Sequence, residues 1–330
     1  MPSERKPKIS ILCPIRNVAP YIKEMIESTL AQTFQDWELI IMDGASTDGT
    51  VEIIMDYAQK DKRIRAYSEP DECSWHAFDK MLDLAKGEFI TNVCGQDGFF
   101  DKDWLKKASE VIDRDKTISL VWSLTQGVTE DGTVIKEKDA YSHFIENEDK
   151  QKVAMGAFIK TLRIVKDILL GSWTRKKNIL SKIFSKNAFL TINVFTKKEF
   201  PGGEVPQKEN WFKYWLDTGM VFPDQSIIVS KKVFLDCIPR YKLGEKTVGF
   251  MTDFYYNFNT KGYLAYFIPV FGIFGRMHPG ASGERMGEEL HRNAQKYLDN
   301  VRLFRKDFLR SDKGFSFKDR EGNSIASVDL

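Results

Sequence analysis

The chain predicts a doubly wound α/β protein with a mainly parallel sheet, and three observations carry that expectation. The first is KISILCPIRNVAPYIKEMIESTLAQTFQDWELIIMDGASTDGT, where apolar runs ending at Pro14 and Asp43 flank one amphipathic stretch, a strand, helix, strand unit. The second is that strands and helices keep alternating as far as residue 124. The third is that strand-like segments return at 225–230 and 267–274 after a long interruption. In open α/β sheets ligands sit in the crevice beyond the carboxyl ends of the parallel strands, so Asp43 and the turn after Cys13 are expected to line a site.

Taken in order, Thr47, Asp48 and Gly49 form a helix start, 51–58 has helical spacing and 64–67 is a short strand. Residues 75–85 are helical, with Ala77, Phe78, Met81, Leu82 and Ala85 on one side. Residues 88–94 form a strand, 104–112 a helix and 119–124 a strand. A hairpin turn follows at Val128, Glu130-Asp131-Gly132 and Val134. Between 141 and 215 the rhythm fails and the chain turns helical, basic and aromatic, which marks an insertion. A short helix is expected at 231–235, a charged closing helix at 283–309 and a loose polar tail at 311–330. The predicted parts are thus a core at 1–140, an insertion at 141–215, a second core segment at 216–282, and a C-terminal helix and tail at 283–330.

The 330 residues, 42% hydrophobic and 29% charged, are ordinary globular composition. A net charge of +2 gives no reason to expect a nucleic-acid partner. Cys13, Cys73, Cys94 and Cys237 are widely spaced without a CxxC pair, as expected of reduced thiols. MPSERKPKIS lacks the apolar centre of a signal peptide, and the longest uncharged apolar stretch, 263–274, is too short to span a bilayer and is broken by Pro269 and Gly272. The expectation is a cytoplasmic protein. No GxGxxG or GxxxxGK[ST] loop is present, which counts against Rossmann dehydrogenases and P-loop enzymes.

Within the insertion, 157–187 carries eight Lys and Arg residues against Asp167 alone, with Phe158, Leu162, Val165 and Leu169 at helical spacing and Trp173 after them. Such a segment suits peripheral contact with an anionic membrane surface, at the inner face of the cell membrane for a cytoplasmic protein. Equally, its apolar stripe can pack on the domain while the lysines face water.

The words of the chain resemble family-2 glycosyltransferases of the GT-A fold. PIRNVAPYIKEMIESTLAQTFQDWELIIMDGASTDGT resembles the family's opening, SEPDECSWHAFDKMLDLAKGEFIT the segment that follows, and CGQDGFFDKDWL its acidic metal motif. PDQSIIVSKKVF, TDFYYNF and GRMHPGASG resemble its acceptor-side segments, in the family's order. The resemblance implies an inverting, metal-dependent transferase. It would move a sugar from a nucleotide sugar, UDP-linked, to a glycan or polyprenyl-linked acceptor in cell-surface polysaccharide synthesis. Residues 1–140 would bind the donor and 216–282 would face the acceptor. The alternative is a non-catalytic sugar-nucleotide or glycan binding protein on the same fold; a nucleotidyltransferase on a doubly wound sheet is a third reading.

Sugar transfer from a nucleoside diphosphate needs an acceptor for the base, a means of neutralising the leaving diphosphate, and a base for the attacking hydroxyl. By the resemblance, Asp43 meets the nucleotide base with Pro14, Arg16 and Asn17 as its floor, and Asp71 and Lys80 add donor contacts. Asp97 with His278 is the expected holder of Mg²⁺ or Mn²⁺. Gln96 stands where relatives carry a second acid, so weak metal affinity is expected. Arg276 is the expected diphosphate clamp, Gln225 shapes the acceptor pocket and Asp253 is the general base. Trp211, Trp215 and Phe222 read as aromatic core ahead of sugar platforms. Cys73, His76 and Asp79 also depart from the family pattern, which fits altered donor choice or loss of catalysis.

Overall fold

The structure is a computed structural model that describes residues 6–135, 205–244, 250–277, 287–310 and 314–328. The basic segment 157–187 and His278 lie outside the described residues. The chain divides into two compact units, one of Met1–Gln126, Ile192–Gly275 and Arg292–Leu330, the other of Gly127–Thr191 and Arg276–His291.

The first unit opens as predicted. Strands β1 (Ile9–Ile15) and β2 (Trp37–Asp43) are buried almost throughout, because continuous apolar runs suit parallel strands covered on both faces. Helix α1 (Ile22–Leu30) between them buries Ile22, Met25, Ile26 and Thr29, the stripe that lets it lie on the sheet. Next come α2 (Thr50–Lys60), β3 (Ile64–Ser68), α3 (Ser74–Leu84) and β4 (Phe89–Asn92). β1 pairs in parallel with both β2 and β4, and β2 with β3; the register sets Ile15 beside Asp43 and Leu12 beside Asn92.

The other strands are β5 (Gly98–Phe99), β6 (Ile118–Val128, after α4, Trp104–Arg114), β7 (Ile227–Ser230) and β8 (Leu264–Arg276). The sheet order is β3-β2-β1-β4-β7-β6-β8-β5. Doubly wound pairing thus holds for the β3-β2-β1-β4 half, while β7 joins β4 and β6 antiparallel and β5 joins β8 antiparallel.

Helix α5 (Glu209–Thr218) precedes β7; α6 (Lys231–Cys237) and α7 (Phe250–Thr260) follow it. α5 buries Trp211, Phe212, Trp215 and Leu216. Trp122 on β6 lies 5.2 Å from Trp211, 5.6 Å from Phe222 and 4.5 Å from Phe267, centroid to centroid. The large aromatics are therefore core, and the boundary expected at 215 falls inside a core helix.

The C-terminal part corrects a second expectation. After α8 (Gly287–Phe308) the tail is not loose: β9 (Phe315–Lys318) and β10 (Ser324–Val328) form an antiparallel hairpin. Phe315 stacks 4.1 Å from Phe212, and Phe317 is 1% exposed. Arg320, buried, donates to the carbonyls of Ile112 (2.6 Å), Asp115 (3.0 Å) and Lys116 (3.1 Å), at and just beyond the end of α4. Polar composition concealed an element anchored by two aromatics and one arginine.

In the second unit, Val128 bridges Val134 across a turn in which Thr129 N–H donates to Thr133 O and Gly132 takes φ 87°, the predicted hairpin.

Candidate functional site

The carboxyl ends of β1, β2 and β3 are knitted beyond the sheet. Gly44 N–H donates to Ile15 O (2.8 Å) and Glu69 N–H to Asp43 O (3.0 Å). Asn17 (φ 52°) and Ala45 (φ 56°) hold left-handed backbone, which disfavours non-glycine residues by about 1–3 kcal/mol and persists only where surroundings enforce it. Here reciprocal bonds do so. Asn17 N–H donates to Ser46 Oγ (2.7 Å), Thr47 N–H to Asn17 Oδ1 (3.0 Å), Val18 N–H to Thr50 Oγ1 (3.0 Å) and Ala19 N–H to Asp48 Oδ2 (3.0 Å). Asp43 is the hub of this turn and is 0% exposed. Its Oδ2 accepts from Ser46 N–H (2.9 Å) and Ser68 Oγ (2.8 Å), and Oδ1 accepts from Ser46 Oγ. The residue lies at the strand end as expected, but its carboxylate faces the turn rather than open space.

The accessible groups beside it are Arg16, exposed, and Asp71 and Lys80, half-buried. Burial pushes the Asp71 pKa up; Lys80, Arg16 and His76 oppose that and Asp43 adds to it. Lys80 Nζ pairs with Glu69 (2.7 Å) and donates to Pro70 O (3.3 Å), holding the turn that carries Asp71. A Cβ on Gly44 would stand 2.5 Å from Asp71 Oδ2, so glycine there lets the carboxylate approach the end of β2. Pro14, Arg16, Asn17, Asp43, Asp71 and Lys80 thus occupy one region.

The turn after β4 carries Cys94, Gln96 and Asp97. Asp97 N–H donates to Cys94 O (3.0 Å), and its side chain is 3% exposed. Burial, then the neighbouring acids Asp97 and Asp224, raises the Cys94 pKa; burial, then Cys94 and Asp97, raises that of Cys13. Burial thus favours the neutral thiol at both positions. Among the described residues no three His, Cys, Asp or Glu side chains gather as a metal-binding group. Asp97 with the neutral Gln96 fits an Mg²⁺-like ion only where waters and diphosphate oxygens complete its shell, as that ion prefers.

Asp224 and Gln225 precede β7. Tyr255 Oη donates to Asp224 Oδ1 (2.6 Å), and Gln225 Nε2 donates to Cys94 Sγ (3.4 Å). These bonds bring α7 to the Cys94–Asp97 turn. The start of α7 is also anchored on α3, where Phe250 stacks 4.3 Å from Trp75. Asp253 lies one helical turn beyond Phe250 on the same face. It is open to solvent, yet the surrounding protein pushes its pKa up against the pull of Lys296. A chain of contacts therefore joins the elements bearing Asp43, Asp97 and Asp253 within the first unit. Asp224 and Tyr255 were passed over in the sequence, although they sit in the words that supplied Gln225 and Asp253.

Arg276 departs from expectation. It belongs to the second unit, is 6% exposed, and its Nη1 donates to the carbonyls of Glu130 (2.7 Å) and Thr129 (3.2 Å), bracing the hairpin.

Two of the unusual residues on α3 also find structural roles. Asp79 accepts from Arg240 Nε (2.6 Å) and Nη2 (3.1 Å), and Arg240 reaches Asp83 (2.8 Å) as well. His76 stacks on Tyr241 at 4.8 Å, its Nδ1 accepts Glu72 N–H (3.3 Å), and Tyr241 Oη donates to Glu72 (2.5 Å). These residues fasten the chain at 240–244 to α3 and the turn that carries Asp71 and Glu72.

A separate groove of about 540 Å³, lined by Lys6, Lys8, Asp36, Lys86, Glu88 and Asp113, lies at the amino ends of the strands and includes none of these groups.

Residues 10–166 match the profile described as Glycosyl transferase family 2. The hyaluronan synthase of Pasteurella multocida is 31% identical over 131 residues, covering 40% of this chain and 13% of that protein. TuaG of Bacillus subtilis strain 168, named for teichuronic acid biosynthesis, is 31% identical over 163 residues, 49% of this chain and 63% of that one. The chain thus spans less than two thirds of either relative. Among solved structures, the Pyrobaculum calidifontis mannosyltransferase PcManGT, in complex with GDP-Man and Mn²⁺, superposes with a TM-score of 0.53 at 15% identity, over 93% of this chain and 70% of that one. Residues 10–166 therefore resemble a glycosyl transferase family 2 domain, and the chain has the GT-A fold.

Proposed function

We propose that the chain is an inverting glycosyltransferase that moves a sugar from a nucleotide donor, UDP-linked, to a glycan or lipid-linked acceptor in cell-surface polysaccharide synthesis. The observation that carries this reading is the interlocked turn at the ends of β1 and β2, which sets Arg16, Asp71 and Lys80 beside one another at the crevice. In this reading Asp43 keeps the turn in shape, and Asp71 and Pro14 meet the nucleotide base. Asp97 and Gln96 face the diphosphate. A divalent cation there would neutralise the leaving group, with His278 as a further ligand. The names of two relatives, a hyaluronan synthase and a teichuronic acid enzyme, support a cell-surface glycan as the product class.

Asp253 supplies the base. Its carboxylate takes the acceptor hydroxyl proton as that oxygen attacks the anomeric carbon, opposite the departing diphosphate, and such transfer contributes about 10²–10⁴-fold in rate. Gln225 lies on the acceptor side, and segment 157–187 would hold the protein at the cytoplasmic face of an anionic membrane. Among the described residues no helix is long and apolar enough to cross a membrane.

The test is release of nucleoside diphosphate from a panel of UDP- and GDP-sugars with Mg²⁺ or Mn²⁺. Turnover that Asp253→Asn abolishes while donor binding persists supports the proposal; donor binding without turnover across the panel, with acceptor glycans supplied, refutes it in favour of a binding protein.

A further inference from the structure

Asp224 is the one carboxylate of the site whose geometry no assigned role uses. It stands exposed at the entry to β7, and the protein around it raises its pKa. Its Oδ1 is fixed by Tyr255, a side chain 1% exposed whose hydroxyl donates at 2.6 Å. Among the described residues Oδ2 meets no hydrogen-bond donor. The neighbouring Gln225 is held by its Nε2 on Cys94, and its Oε1 is buried without a donor among the described residues. Beside Cys94 there are thus a buried acceptor, Gln225 Oε1, and an accessible one, Asp224 Oδ2, neither with a donor among the described residues; the first favours a ligand that brings an O–H donor, and the second is open to it.

We propose that Asp224, oriented by Tyr255, receives hydrogen bonds from hydroxyls of the sugar being transferred and selects an uncharged hexosyl or N-acetylhexosaminyl donor over a uronic acid donor. The inference rests on the glycosyl-transfer reading, since it is the diphosphate placed at Asp97 that brings the attached sugar to Asp224. A carboxylate held within reach of the ring accepts from adjacent hydroxyls, and the same charge opposes a sugar carboxylate, so one residue both attracts and rejects. Tyr255 is a positioning residue: it lets Asp224 hold one orientation without a salt bridge that would cancel its charge.

Titration calorimetry at about pH 8 tests this with UDP, UDP-glucose, UDP-N-acetylglucosamine and UDP-glucuronic acid, and with GDP and GDP-mannose in parallel. In wild type an uncharged sugar should tighten binding relative to its parent diphosphate, whereas glucuronate should not. In Asp224→Asn that gain should fall about ten-fold, with the affinity for the diphosphate unchanged, and discrimination against glucuronate should narrow. Tyr255→Phe, which keeps the buried ring, should lose a smaller part of the gain and leave diphosphate affinity alone. A full sugar gain in Asp224→Asn, or wild-type binding of UDP-glucuronic acid as tight as that of the neutral sugars, overturns the assignment alone. Absence of any nucleotide binding by wild type overturns the glycosyl-transfer reading, and this inference with it.

Discussion

Replacing Asp43 by asparagine tests the turn at the end of β2. The buried carboxylate accepts three hydrogen bonds, two from Ser46 and one from Ser68. Asparagine can keep all three if its oxygen takes the Oδ2 position and the Ser46 hydroxyl rotates to accept from the new amide. What is lost is the charge on the acceptor, about 0.5–1 kcal/mol per bond, so about 1.5–3 kcal/mol in all. A neutral amide is easier to bury than a carboxylate, which returns part of that and leaves a net loss of about 1–2 kcal/mol. Asp43→Ala removes the acceptor outright and should cost about 3–5 kcal/mol, because the Ser46 N–H then faces a void. Guanidinium titration reads both changes as shifts in midpoint at constant slope. UDP affinity should fall in parallel, because the left-handed Asn17 and Ala45 lose the network that enforces them. A loss below about 0.5 kcal/mol in both variants, with UDP affinity intact, would refute the account of Asp43 as the hub.

Three other outcomes follow from the same contacts. Gly44→Ala displaces the flexible end of Asp71 rather than backbone, so stability should change by less than about 1 kcal/mol while UDP affinity drops; calorimetry beside a denaturation curve separates the two. Burial raises the Asp253 pKa, and a general base acts only when ionised. Activity should therefore rise with pH through a midpoint above the ordinary aspartate value of about 3.9 and then level off, and the residual rate of Asp253→Asn should lack that limb. Arg320→Ala removes the guanidinium from three carbonyls at and beyond the end of α4, of which Asp115 keeps the Ile118 N–H, so a loss of about 2–4 kcal/mol and rapid hydrogen exchange in β9 and β10 are expected; an unchanged midpoint would mean the tail is not part of the core.

The legible parts of the sequence were those where one local rule governs. β1 and β2 are largely apolar runs ending in Pro14-Ile15 and Asp43, interrupted only by Ser10 and Glu38, and they are buried on both faces. The hairpin at Glu130-Asp131-Gly132 is set by its glycine, and α1 by its apolar stripe. Departures at His76 and Asp79 suggested altered donor choice or decay, whereas the structure has them gripping Tyr241 and Arg240, well over a hundred positions away in sequence. Arg276 read as a clamp because arginine suits diphosphates, but a guanidinium suits backbone carbonyls equally well, and it is those of Thr129 and Glu130 that it meets.

By itself the sequence determined the βαβ frame, the strand ends at which chemistry gathers and the family those words belong to, because periodicity and turn chemistry act over a few residues. Only the tertiary structure decided that β7 runs antiparallel to β4, that the polar tail is stapled to α4, that Asp43 faces into its own turn, and that Asp224 and Tyr255 meet near Cys94. Each of these depends on which partner a group finds across a long loop, and hydrogen-bond acceptors of the same kind compete for every donor until packing leaves one within reach.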